Sequence, residues 1–169
     1  MYAKLLTLVS LALAPTSMIV MISDSLIVQA QERCPNGWSK WICKYFSDRG
    51  VRLGSIKPAD LIAKLEDKIS QRQGKLDDYI LVGYLYPKVG NTSMSETRLT
   101  QGLNLAKKDR NWEGQAIAAR ALGEVLVTTG RKSEATSRLT EARNLYLKLG
   151  DRQSINEVNQ QLTRIRLSN

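Results

Sequence analysis

The sequence predicts an all-α protein: antiparallel helical hairpins stacked as a short solenoid, preceded by a disulfide-clipped cap segment. Three observations carry this. Apolar residues recur at helical spacing from Pro58 onward, and no strand-length alternating run follows Lys57. Gly90, Gly130 and Gly150 stand where the helical stretches stop. The chain also matches itself at an offset of 40 residues, and a fixed period of that size marks a repeat array.

The chain has 169 residues and divides into three parts. Residues 1–30 read as a signal peptide: Lys4 supplies the positive start, Leu5 to Ala14 the apolar stretch, and Val28-Gln29-Ala30 the small residues before a cut. Cleavage after Ala30 places the protein outside the cytoplasm, in the periplasm or an equivalent lumen. The competing reading is an uncleaved anchor. Leu5 to Ile22 is 18 residues without a charge, near the lower length of a spanning helix, although Pro15, Thr16 and Ser17 interrupt it. In that reading the protein is a membrane-anchored envelope structural protein.

Residues 31–57 form the cap segment, with Cys34, Cys43, Trp38, Trp41, Tyr45 and Phe46. An isolated cysteine pair in an exported chain reads as one structural disulfide. A closed zinc site needs four ligands, and the chain has no His and no further Cys outside that pair. Pro35-Asn36-Gly37 reads as a turn. Trp38, Trp41, Ile42 and Tyr45 then recur at helical spacing. Their aromatic rings read as cover for the end of the array, or alternatively as a stacking platform for a sugar or similar ligand. Arg49 to Gly54 reads as a loop.

Residues 58–169 form the repeat domain. Pro58 starts the first helix, where its missing N–H costs little; Leu61, Ile62, Leu65 and Ile69 make its stripe, and Gly74 ends it. Lys75 to Tyr86 is the next helix, closed by Pro87 and Gly90. Asp77 and Asp78 favour its start through the helix dipole. Ser93 and Glu96 fit a capping box for a helix reaching Lys108, with Leu99, Gly102, Leu103 and Ala106 inside. Asn111 caps a helix from Trp112 to Thr129. Ser133 caps the next, which runs to Leu149. Asp151 caps the last, with Ile155, Val158, Leu162 and Ile165 on its inner face.

The self-match pairs Gly83 with Gly123, Gly90 with Gly130, Leu99 with Leu139 and Leu105 with Leu145. In the clearer copy, Ala116 to Ile155, a small residue at Ala119 precedes Leu122-Gly123, and Leu126 follows. Ala135, Leu139 and Ala142 continue the pattern on the second helix. This arrangement resembles the tetratricopeptide repeat family, in the longer-period form found in bacterial regulatory proteins. The earlier copy, Leu76 to Gln115, has Ser95 and Gly102 where the pattern has Ala.

The resemblance implies a non-catalytic interaction module in which the first helix of each hairpin lines a groove for a peptide or helix. By motif position the groove residues are Ile80, Tyr84 and Lys88, then Arg120, Glu124 and Thr128, then Gln160 and Arg164. Lys88, Arg120 and Arg164 together would suit an acidic partner. The formal charge of +9 agrees with an acidic partner, and export argues against nucleic acid. Self-association is a further way to cover an open end.

Catalysis is not expected. The chain has no His, no glycine-rich phosphate loop and no nucleophile elbow. No cofactor or metal is expected.

Overall fold

The computed structural model describes residues 34, 35, 38–51 and 57–168. The predicted signal or anchor, residues 1–30, lies outside them, as do residues 36 and 37 of the predicted turn and residues 52–54 of the predicted loop. The chain divides into two compact units, the first ending at residue 55 and the second beginning at residue 56. All regular structure among the described residues is helical.

In the first unit α1 spans Lys40–Ser47 and buries Ile42, Tyr45 and Phe46. The Tyr45 and Phe46 rings meet edge to face with centroids 5.0 Å apart, a geometry that the ring quadrupoles favour. The Arg49 guanidinium lies 3.7 Å from the Tyr45 ring centroid. The sulfurs of Cys34 and Cys43 stand 2.05 Å apart, at disulfide distance.

In the second unit six helices follow: α2 (Pro58–Ser70), α3 (Leu76–Leu85), α4 (Thr92–Lys108), α5 (Trp112–Thr128), α6 (Lys132–Leu149) and α7 (Arg152–Leu167). A 3-10 turn, Tyr86–Val89, closes α3. Each helix packs on the next in chain order, and α3 also touches α5.

One turn design joins them. A residue in the left-handed region follows each of α2 to α6: Arg72 (φ 58°), Gly90 (φ 78°), Arg110 (φ 53°), Gly130 (φ 75°) and Gly150 (φ 71°). Gly130 N–H donates to Val127 O at 3.1 Å and Arg131 N–H to Leu126 O at 3.0 Å. The same two bonds recur at Gly90 and Asn91, at Arg110 and Asn111, and at Gly150 and Asp151. This is the Schellman pattern, which satisfies the last carbonyls of the helix. The residue just past Gly90, Arg110 and Gly150 then caps the next helix: Asn91 accepts from Met94 N–H at 3.0 Å, Asn111 from Gly114 at 2.8 Å and Asp151 from Ser154 at 3.0 Å.

This turn corrects three sequence expectations. Ser93 does not cap α4, because Asn91 directly follows the left-handed Gly90 and takes the position; Ser93 falls in the first turn. Ser133 does not cap α6 for the same reason. Arg131 holds that place without a side-chain cap and instead forms ion pairs with Glu134 and Glu96, each at 2.6 Å. Gly74 does not end α2, which stops at Ser70 because Arg72 takes the left-handed conformation.

The hairpins close over a seam of small residues. A methyl group on Gly83 would lie 2.6 Å from Leu99 Cγ, and one on Gly123 would lie 2.6 Å from Leu139 Cγ. One contact thus occurs twice, 40 residues apart in sequence. Along α4 from Leu99 to Gly102 the neighbours on α3 run back from Gly83 to Tyr79 and Ile80, so the pair is antiparallel. The two departures from the repeat pattern have local reasons. Ser95 is fully buried and its hydroxyl donates to Gly83 O at 2.6 Å. A methyl on Gly102 would lie 3.2 Å from Tyr79 Cβ, so Gly102 makes room for Tyr79, which stands where the other hairpin has Ala119. On α7, Val158 and Ile165 are buried, whereas Ile155 and Leu162 are only half-buried.

The α2 helix is tied in by charge. Glu66 receives Arg98 Nε at 2.8 Å and pairs with Arg98 Nη2 as well, and Tyr86 OH donates to Glu66 at 2.8 Å. Lys68 pairs with Asp78 at 2.7 Å, and Asp78 also accepts the Lys75 N–H at the start of α3.

The turn geometry sets a paired expectation. Gly130→Ala forces a side chain into the left-handed region and should cost about 1 kcal/mol, whereas Arg110→Gly relieves that strain and should stabilise by up to about 1 kcal/mol. Urea unfolding of the two variants measures both signs.

Candidate functional site

The first helices of the hairpins, α3 and α5, and the last helix, α7, share a face, and the predicted groove residues map onto it unevenly. Ile80 is fully buried and Tyr84 nearly so; their side chains belong to the core. Lys88 is exposed beside them, with its ammonium 5.6 Å from the Tyr84 ring centroid. Burial lowers Lys88 below the usual lysine value, and the Glu124 carboxylate opposes that shift. Lys88 of the 3-10 turn and Glu124 of α5 therefore act on each other across the face.

Arg120 is 2% exposed. Its Nη2 pairs with Glu157 of α7 at 2.9 Å, and its Nε lies 3.8 Å from Glu124. Glu124 in turn accepts from Gln161 Nε2, and Glu157 accepts from Gln153 at 3.0 Å. A buried guanidinium held by two carboxylates fixes α7 against α5. This Arg120 is a structural ion centre, and its charge is answered from within the chain. Thr128 is exposed, and its hydroxyl donates to Val125 O at 2.7 Å. Gln160 and Arg164 are exposed on α7.

The structure thus brings Tyr84, Lys88, Arg120 and Glu124 together, and adds Glu157 and Gln161 in place of Gln160 and Arg164. The reason is stagger. Residues that meet across α5 and α7 are 37 apart in sequence, not 40, because a stacked helix meets its neighbour about one turn away from the equivalent position. The signal available in the sequence was the opposite charge of Arg120 and Glu157.

Tyr146 of α6 lies beside this centre. It is 2% exposed, and its hydroxyl makes no hydrogen bond among the described residues. Burial pushes its phenol up to about 12, with the nearby Arg120 charge opposing that rise.

Among the described residues no group of three or more His, Cys, Asp or Glu side chains could hold a metal ion. No described helix is long and apolar enough to cross a membrane. Comparisons with protein-family models, curated proteins and solved structures give no match.

Two expectations follow from the ion centre. Arg120→Ala leaves Glu124 and Glu157 without their shared cation and should cost about 2–4 kcal/mol, somewhat under a fully buried pair because Glu157 is partly exposed. Chemical denaturation reads this directly. A folded-state phenol raised above its unfolded value makes stability fall as pH rises. The contribution is intact below pH 10, the ordinary phenol value, and is lost by about pH 12. Tyr146→Phe should therefore match or exceed the native chain at pH 7 and lose about 2–3 kcal/mol less between those limits. Parallel denaturation curves across that range compare the two.

Proposed function

We propose that the protein is an exported, non-catalytic protein–protein interaction module, built as a short solenoid of tetratricopeptide-like hairpins. The observation that carries this is the repeated seam: Gly83 under Leu99 and Gly123 under Leu139, with the same turn after each of α2 to α6. Arrays of stacked hairpins present long exposed helix faces, and such faces serve binding. The resemblance in the Ala119 to Ala142 stretch supports the same reading. Export is supported by the Lys4 and Leu5 to Ala30 pattern. Cys34 and Cys43 at disulfide distance suit an oxidising compartment. The positive charge of +9 favours an acidic partner.

Two measurements test the reading. Mass analysis of the protein from its native envelope should place the N-terminus at Gln31; a start at Met1 would instead support an anchored envelope component. The full chain, immobilised and cross-linked in envelope extract, should retain a protein that rebinds in purified form at a fixed stoichiometry. Leu139→Asp, which breaks the seam, should abolish that binding. Failure of every retained protein to rebind would overturn the reading.

A further inference from the structure

We propose that the trough between α6 and α7 is a seat for an acidic amphipathic helix supplied by a partner protein. The proposal rests on the interaction-module reading and locates its site away from the face shared by α3, α5 and α7.

In the preceding copy of the repeat, α4 and α5 form a trough that α6 fills. Leu139 sits on Gly123, Arg131 pairs with Glu96 at 2.6 Å, and Glu141 pairs with Lys107 at 3.2 Å. Forty residues on, the same construction is made by α6 and α7. Thr163 stands for Gly123, Thr136 for Glu96 and Leu162 for Leu122. These residues line a trough of about 730 Å³. Its geometry is that of a helix seat, because its counterpart one repeat earlier holds a helix.

The apolar floor is short: Ile165 is buried and Leu162 half-buried. Around it stand Lys132, which donates to Ser168 O at 2.5 Å, and Arg143 and Arg166, and no acidic residue among the described residues lines the trough. Arg143 is half-buried, and its Nε is buried without a hydrogen-bond partner among the described residues. Such a group costs free energy until an acceptor reaches it. Carboxylates on an incoming helix supply acceptors in the charge-assisted form that guanidinium binds best. Thr163 and Asn159 replace the Gly123 and Ala119 of the filled trough, so the occupant's contacts are partly polar. A second copy of this chain is a poor occupant, since each copy carries +9 and like charges repel.

The test uses the full chain and a labelled synthetic helix with Leu along one stripe and Glu flanking it. Fluorescence anisotropy should show saturable binding that weakens with salt. Arg143→Glu with Arg166→Glu should weaken it at least tenfold, and Thr163→Trp, which fills the seat without changing charge, should do the same. Lys88→Glu and Arg164→Glu should leave affinity within twofold. Circular dichroism confirms that each variant is folded. Binding lost only in Lys88→Glu or Arg164→Glu overturns the seat while leaving the interaction-module reading standing. Binding to vesicles of phosphatidylglycerol and phosphatidylcholine, with none to the acidic helix, overturns it in favour of a lipid surface. No binding to either probe also overturns it, whereas the interaction-module reading is then decided separately by rebinding of envelope proteins.

Discussion

The fold depends on one turn repeated at a fixed interval. Left-handed residues at positions 90, 110, 130 and 150 leave a helix of about five turns between each pair. Each turn does two tasks within two residues. The left-handed residue closes the carbonyl end of one helix, and its successor opens the next. No slack remains, so consecutive helices must lie antiparallel and in contact. The apolar stripes then meet because the turn holds them together. Glycine suits three of these positions. Arg110 shows that the same turn can hold a non-glycine residue there despite its steric cost.

Packing then fixes how closely the hairpins close. Gly83 and Gly123 each admit a leucine where a methyl group would collide. The second layer of order is electrostatic. Glu66 with Arg98 ties α2 to α4, Arg131 with Glu96 ties α6 to α4, and Arg120 with Glu157 ties α7 to α5. These pairs join elements that are distant in sequence, which the short turns alone cannot align. Removing water from Arg120 is costly, so its carboxylates are required for the arrangement it creates.

Much of this was legible in the sequence. The helical period, the glycine stops and the 40-residue echo give the number and order of helices in the repeat domain. The N-caps Asn111 and Asp151 were readable, because a polar residue directly after a stop is a strong local signal. Ser93 and Ser133 misled because serine at a plausible cap position loses to the residue the turn has already placed. Arg72 and Arg110 were not readable as left-handed residues, since arginine carries no such preference. The candidate face was partly legible. Lys88, Arg120 and Glu124 do converge, but Ile80 is core and Arg120 is buried. Sequence periodicity marks a face; it does not say how deep each residue lies, and the stagger that selects Glu157 and Gln161 arises only when helices stack.

The exchange of Tyr79 and Gly102 for Ala119 and Ala142 bears on folding fidelity. A chain whose two hairpins share a turn and a seam risks pairing the first helix of one with the second helix of the other. Tyr79 needs the empty side of Gly102, and against Ala142 it would meet a methyl group. Ala119 set against Gly102 would leave a gap. Each first helix therefore fits its own second helix better than the other's. What looks like decay of the repeat in the earlier copy gives the two hairpins different packing surfaces, which disfavours exchange of partners between them.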